Sequence, residues 1–514
     1  MNSLPNPNPN PQLDASDGMR MVGVRVVDPL PRRGRGRWPF RADGVELPVY
    51  AVALGYLLLP SLLSLFCVRW LSALPHGYIN LEFLAIGAAA IFLPRPVVFG
   101  LLLLDSLADC VYSICYTYQF SVSDLIASAH FVGVLPRSRI VAGCGVIAMA
   151  VVLCCALSLI RPHPRRRMQA AGALIGLIVI LLPIDILSGQ NPLWHQDVSL
   201  LSGRVTRSPL LTLGVRAIAA LRTERRAQKS ASRQMDSASA QMMAWLNGAG
   251  SGAARPNVVR PNVVLIVVES WGLLLDPHLA QALTEPYTSA AVDRAYRVRY
   301  GTAPYSGLTI PGEARELCHS TMGFEILHPT AEMEQQCLPG RFHALRYRNT
   351  AIHGYAGEMF YRAQWYRTLG FDRTWFSPNL RHVGLSRCGG AFPGICDAAI
   401  AHFIGDSLLT ASGSQPQFIY WVTLNSHIPV PVRPNLPADQ VCAAEPALRS
   451  SAALCSWFRL VRAVHQSVSQ IAAQAHGRPT AFILVGDHAP PVADPGLRRQ
   501  FSPTQVPYVM LTPR

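Results

Sequence analysis

The chain has 514 residues, of which 50% are hydrophobic and only 15% charged, with a formal net charge of +15. Soluble proteins carry about 25% charged residues, so the composition argues against a wholly soluble protein, and the length predicts several domains. The positive charge comes without any aromatic-and-basic recognition motif, which excludes nucleic acid as the expected partner; arginines instead gather at the ends of apolar segments, as membrane proteins place them.

Residues 1–46 read as a basic, disordered tail that opens with "PNPNPNP" and carries Arg32, Arg33, Arg35, Arg37 and Arg41. Residues 47–188 predict a transmembrane domain of about five helices, at 47–68, 78–93, 97–118, 140–160 and 169–188. A span needs around 20 mostly apolar residues, and the second segment is short. The first begins too far into the chain, and is too long, to be a cleaved signal peptide. The tail arginines, Arg95 and "RPHPRRRM" (Arg161 to Met168) fall on one side of a five-span bundle, against Arg69, Arg137 and Arg139 on the other. The arginine-rich side is expected to be cytoplasmic, so everything after residue 188 lies outside it. Glu82, Asp105 and Asp109 fall within the second and third segments. Acids at membrane depth are costly, and pairing or a shallower position is expected of them ahead of a functional pathway.

Residues 189–258 predict a basic linker at the membrane surface. Arg204, Arg207, Arg216, Arg222, Arg225, Arg226, Lys229 and Arg233 are set there against Glu224 alone. Such a stretch suits anionic headgroups and equally a solvated helix face. "NGAGSGAARP" reads as a hinge. Six cysteines lie in or near the apolar segments, and six more come as close pairs: Cys318 and Cys337, Cys388 and Cys396, Cys442 and Cys455. Three local disulfides in an oxidising compartment fit that spacing.

From residue 259 the texture is α/β. "NVVLIVVE" (262–269), "TAIHGY" (350–355), "FIYWVTL" (418–424), "FILV" (482–485) and "VPYVML" (506–511) are buried-strand runs separated by helical patterns. They predict a central, mostly parallel sheet covered on both faces. Glu269 ends the first strand, and Asp487 and His488 follow a later one, in "FILVGDHAPP". If those strands are central and parallel, two carboxylates and an imidazole converge at one sheet edge, a donor set suited to a divalent metal. Between them "SGLTIPGEARE" (306–316) leads into a helix, with Thr309 where N-terminal amides meet an anion. A metal-bound hydroxyl there would lose its proton readily and attack phosphorus.

"NVVLIVVESWG", "SGLTIPGE", "FYRAQWYRTLGFDRTWF", "LNSHIPV" and "VGDHAPP" occur in this order. The series resembles the alkaline phosphatase/sulfatase superfamily, and within it the membrane-anchored phosphoglycerol transferases of the lipoteichoic acid synthase type. The resemblance covers about residues 259–514 by motif and the apolar segments by plan. It implies a multi-pass helical membrane domain followed by an α/β alkaline-phosphatase-like catalytic domain. Glu269, Thr309, Asp487 and His488 match the metal ligands, with Thr309 also the nucleophile. His427 matches a histidine at the phosphate or leaving group. Phe360 and Arg362 match the headgroup pocket, where the family usually has Trp at the first position, and His353 is a further substrate-binding candidate.

The implied chemistry is transfer of phosphoglycerol from phosphatidylglycerol to an extracytoplasmic glycan through a phosphothreonine. One divalent ion is implied, Mn²⁺ first, with Mg²⁺ or Zn²⁺ fitting too. The implied partners are a phospholipid donor, an envelope glycan acceptor and the membrane, and the implied place is a bacterial inner membrane with the catalytic domain in the periplasm. A sulfatase would need a Cys-x-Pro-x-Arg setting that "TIPGE" lacks. Phosphoethanolamine transfer is the alternative, since "CGGAFPGICD" (388–397) resembles the disulfide-closed loop of such enzymes. A silent scaffold for envelope polysaccharide assembly is the alternative of another class.

Overall fold

The computed structural model describes residues 46–71, 79–118, 122–187, 206–215, 218, 236–250, 259–305, 307–320, 323–410, 415–430, 440–449, 451–474, 477–492 and 495–514. The basic tail, most of the basic linker and Ser306 lie outside them.

The N-terminal domain is built from helices α1 (Val49–Leu71), α2 (Leu81–Ala89), α3 (Arg95–Tyr118), α4 (Val122–Ala129), α5 (Arg137–Leu159) and α6 (Arg167–Leu187). Three stretches are long and apolar enough to cross a membrane, Arg95–Cys115, Arg137–Leu159 and Pro164–Pro183, with a shorter apolar run at Val49–Leu63. All five expected segments are helical. The second, however, is only 9 residues long, which at about 1.5 Å per residue covers less than half of a ~30 Å hydrocarbon core. Asn80 is the reason: its side chain accepts the Glu82 and Phe83 N–H groups and starts the helix there. The arginine-bearing ends meet at one end of the bundle, where Glu46–Leu47 pairs with Arg161–Pro162 and Arg161 donates to the Leu93 carbonyl.

Arg207 departs from its expected place at the surface. It is 4% exposed, and its Nε and Nη2 grip the Asp109 carboxylate at 2.7–3.0 Å. Ile79–Asn80 pairs with Thr206–Arg207, and Glu82 accepts the Leu210 and Leu211 N–H groups. The chain after α6 therefore returns into the bundle. A guanidinium is buried only where a carboxylate compensates it, and Asp109 does so; Asp105 takes the Asn80 amide at 2.7 Å.

The C-terminal domain holds a seven-stranded sheet. Its strands are β1 (Asn262–Val268), β2 (Tyr296–Pro304), β3 (Arg348–His353), β4 (Arg373–Trp375), β5 (Gln417–Val422), β6 (Thr480–Gly486) and β7 (Gln505–Pro513), in the order β2-β7-β6-β1-β5-β3-β4. The five strands from β6 to β4 are parallel; β7 and β2 join antiparallel at one edge. β1 is buried at every position because the sheet is covered twice. Val264, Ile266 and Val268 enter one core, and Val263, Leu265 and Val267 the other. Each such side chain contributes about 1.5–3 kcal/mol.

Helix α7 (Ala238–Gly250) precedes the expected domain start at 259 and packs against the same sheet. Ala238, Met242 and Met243 are part of the second core, and Ser239 bonds Glu316 through both its N–H and its hydroxyl. The first four residues of the expected hinge, Asn247 to Gly250, belong to that helix. The three close cysteine pairs are bonded as their spacing suggested: Cys318–Cys337, Cys388–Cys396 and Cys442–Cys455.

Candidate active site

Register builds the site. β6 runs parallel beside β1, with Val485 opposite Val267 and Gly486 opposite Val268. The next residues, Asp487 and Glu269, leave the sheet side by side, with His488 one step further. Ligand atoms of Glu269, Asp487 and His488 all lie within 4.8 Å of one another. Ser270 takes a left-handed backbone (φ 56°), a costly conformation for a non-glycine residue. From there its N–H donates to Asp487 Oδ1 at 2.7 Å and its hydroxyl to Glu269 Oε1 at 2.8 Å.

Thr309 begins α8 (Thr309–Cys318) and donates its hydroxyl to Glu269 Oε2 at 3.0 Å. Two glycines allow this. Gly307 carries φ +77° just ahead of the helix, and a side-chain carbon on Gly312 would come within 2.9 Å of the Asp487 Cβ. The helix can press against Asp487 only with glycine at 312.

The donor set fits a divalent cation. Asp487 Oδ2 is buried and accepts no hydrogen bond. His488 Nδ1 lies 2.9 Å from the Ala489 carbonyl, which puts the ring proton there. That leaves Nε2 facing Asp487 Oδ2 and Glu269 Oε1 at 3.3 and 3.5 Å. Burial, then the nearby Glu269 charge, pushes the Asp487 carboxyl up to about 7. Burial opposes charge on His488, but Asp487 and Glu269 outweigh it and raise that imidazole. Positive charge between the two carboxylates is what the site favours.

His427 follows β5 on a loop tied down from two sides. Ser426 donates to the Glu269 carbonyl at 2.6 Å, and Asp397 accepts the N–H groups of Leu424 and Asn425. Its Nδ1 lies 2.7 Å from the Ile428 carbonyl, leaving Nε2 as an acceptor. Burial, then the His488 charge, pushes it down to about 4, so the ring is neutral at pH 7. Phe392, inside the Cys388–Cys396 loop, packs edge-on against it, with ring centres 4.7 Å apart.

Phe360 and Arg362 lie together, the guanidinium 5.2 Å from the ring centre. Arg362 is buried and spends Nε and Nη2 on Glu313 of α8, at 2.9 and 2.7 Å. His353 ends β3 with Nδ1 at 3.0 Å from the Val422 carbonyl. Burial, then Arg362, pushes its imidazole down to about 3.

Sequence reasoning did not single out Ser270, Arg315, Tyr366, Tyr420 or Asp397. Arg315 clamps the β6 terminus by donating to the Gly486 and Asp487 carbonyls. The available signal was "TIPGEARE", which packs Glu313, Arg315 and Glu316 into one helix without any matching exposed face; all three are buried.

Residues 261–514 match the sulfatase family model. This half of the chain is a sulfatase-family domain. Three solved structures are among those similar to it. A Vibrio parahaemolyticus protein of the alkaline phosphatase superfamily has 16% identity and a TM-score of 0.37, over 49% of this chain and 60% of that one. The Listeria monocytogenes lipoteichoic acid synthase LtaP has 12% identity and a TM-score of 0.34, over 49% and 65%. The Streptococcus pyogenes phosphoglycerol transferase GacH, solved with sn-glycerol-1-phosphate, has 16% identity and a TM-score of 0.36, over 54% and 77%. The chain spans less than two thirds of the first two. No curated protein matches this sequence. Within the matched residues, Thr309 lies beside a carboxylate–histidine donor set.

Proposed function

We propose that the sulfatase-family domain transfers a phosphoglycerol headgroup from phosphatidylglycerol to an extracytoplasmic glycan, with Thr309 as nucleophile. The observation that carries this reading is the Thr309 hydroxyl held on Glu269 at a helix N-terminus, next to Asp487 and His488. Glu269, Asp487, His488 and Thr309 would hold a divalent ion, Mn²⁺ first and Mg²⁺ or Zn²⁺ as alternatives, which when bound supplies positive charge against the phosphoryl oxygens. The Thr309 oxygen passes its proton to Glu269, on which it is held, and attacks phosphorus; the bond to diacylglycerol breaks, the departing oxygen takes that proton, and the headgroup stays as a phosphothreonine diester. An acceptor hydroxyl then gives its proton to Glu269 and attacks the same phosphorus; the bond to Thr309 breaks, and the Thr309 oxygen takes the proton back. Neutral His427, with Nε2 free to accept, takes a hydrogen bond from the headgroup or from the acceptor hydroxyl. Phe360, Arg362 and His353 form the headgroup side. The membrane helices anchor the domain in an inner membrane, and three disulfides support a periplasmic position.

Phosphoethanolamine transfer from phosphatidylethanolamine is the second reading. The disulfide-closed Cys388–Cys396 loop, whose Phe392 packs on His427, favours it. Mass spectrometry of the Thr309 peptide, after incubating metal-loaded protein with mixed phospholipids, decides between them. A phosphoglycerol adduct absent from Thr309→Ala supports the first reading, and a phosphoethanolamine adduct replaces the donor. Unmodified Thr309 in metal-loaded protein overturns both and returns the scaffold reading.

A further inference from the structure

Phe131 follows α4 in the N-terminal half of the chain but is buried in the C-terminal domain. Ala129, His130, Val132 and Gly133 around it are exposed, whereas Phe131 is 3% exposed and packs within the second core of the sulfatase-family domain. A tight turn presents it: its N–H donates to the Ser128 carbonyl, and its carbonyl accepts the Val134 N–H, both at 3.0 Å. The Val134 carbonyl then accepts the Tyr355 hydroxyl at 2.9 Å, a second tie to the same domain.

The Phe131 ring meets two residues with an uncommon backbone. It lies 5.1 Å from the Phe360 ring and 4.6 Å from that of Tyr361, both edge-on. Phe360 and Tyr361 are consecutive, and both are left-handed, at φ 55° and 51°. That region is costly for a bulky side chain, and residues stay there only where their surroundings over-determine them. Part of the hold is internal to the domain. Trp365 Nε1 donates to the Phe360 carbonyl at 2.9 Å, and the Tyr361 N–H to the Glu358 carbonyl at 3.0 Å. Those bonds fix backbone atoms. The rings are fixed by packing: Phe131 touches both, and Phe324 meets Phe360 at 5.8 Å. So held, the Phe360 ring lies 5.2 Å from the Arg362 guanidinium.

We propose that Phe131 is a positioning residue of the transfer site, contributed by the N-terminal helical domain. Its ring holds Phe360 and Tyr361 in their left-handed conformations and so keeps Phe360 on Arg362. This rests on the phosphotransfer reading above, in which Phe360 and Arg362 form the headgroup side. Headgroup binding then requires the Phe131 turn to be docked, and the sulfatase-family domain alone is an incomplete site.

Two measurements on the full chain in detergent test this. Hydrogen exchange reads the held pair directly: Phe131→Ala should speed exchange of the peptide spanning 356–363 about tenfold and leave β1 unchanged. Kinetics read its consequence, with the p-nitrophenyl phosphodiesters of glycerol, ethanolamine and methanol as substrates. A pair competent in about one molecule in ten raises KM about tenfold with kcat little changed. That rise is expected for whichever of the glycerol and ethanolamine esters the parent prefers. The methyl ester has no headgroup to place, and its KM should not move. Val132→Ala, at an exposed neighbour, should match the parent throughout. Phe131→Leu keeps apolar bulk without the ring and should fall between; if Phe131→Ala does not fold, the leucine variant decides. Parent-like exchange or KM, faster exchange in β1 as well, or equal KM rises for all three esters overturns the proposal. Thr309→Ala separates the two levels. If it abolishes p-nitrophenol release, the reaction stands and only Phe131 is judged. If release persists, the phosphotransfer reading fails, while exchange still judges the hold on Phe360 and Tyr361.

Discussion

Arg362 and Glu313 form a buried ion pair in which both Nε and Nη2 donate to the same carboxylate oxygen, at 2.9 and 2.7 Å. The other oxygen accepts the hydroxyls of Tyr366 and Tyr420, at 2.6 and 3.1 Å. Because Glu313 sits one turn below Thr309 on α8, the pair ties the helix that begins with Thr309 to α9 (Arg362–Thr368).

Glu313→Ala therefore takes the shared carboxylate acceptor from two buried hydroxyls and from a buried guanidinium, which keeps the Met359 carbonyl at 3.5 Å. A loss of about 3–5 kcal/mol is expected, read as a lower urea midpoint, with Glu313→Gln costing less because it keeps an acceptor oxygen. A midpoint for Glu313→Ala within error of the parent would sink this account of the cluster.

The two carboxylates at the sheet edge give opposite effects with and without metal. An ion present at a hundred times its Kd should stabilise the parent protein by about 2.7 kcal/mol, and Asp487→Asn should lose most of that gain. In chelator the order should reverse or level, since the variant lacks one of two adjacent negative charges. Melting curves of both proteins, with Mn²⁺ and with chelator, check this; no chelator effect on the parent would contradict it.

Two buried histidines give the domain an acid limit. Burial, with Arg362 adding to it at His353, pushes His353 and His465 down to about 3 from an ordinary value of 6.5. Above pH 6.5 both rings are neutral whether folded or unfolded, and their contribution is complete. As pH falls from 6.5 toward 3, the unfolded chain binds protons that the folded one refuses, so stability is lost across that window. His465 bonds Tyr287 and packs on Trp271 in the core. His465→Gln should flatten the fall in stability between pH 6.5 and 4, and an unchanged slope in urea titrations would count against it.

In the N-terminal helical domain, Asp109→Ala takes from the Arg207 guanidinium its buried carboxylate partner. The expected loss is about 3–5 kcal/mol, and the double variant with Arg207→Ala should lose less than the sum of the singles. Detergent melting curves of the four proteins supply the cycle; strict additivity would mean that the pair is not coupled.

Local pattern was enough to find all five buried runs, because a strand covered on both faces leaves an unbroken apolar signal. It missed β2, an edge strand whose exposed Arg297, Arg299 and Tyr300 erase that signal. It drew the second apolar segment over 78–93, longer than the 9 residues of α2, since a polar cap such as Asn80 does not break a hydropathy run. Arg207 read as a surface residue because it belongs to a run of basic residues from Arg204 to Arg233 in which Glu224 is the one acid.

The sequence by itself determined the order of parts, the acid, hydroxyl and imidazole at the element ends, and the cysteine pairs, all of which depend on neighbours within a few residues. Tertiary structure alone decided the rest. The register of Val268 with Gly486 brings Glu269 to Asp487, Asp109 captures Arg207 from 98 residues away, and Phe131 docks beside Phe360. Those choices come from burial and charge compensation between distant segments, which no local window contains.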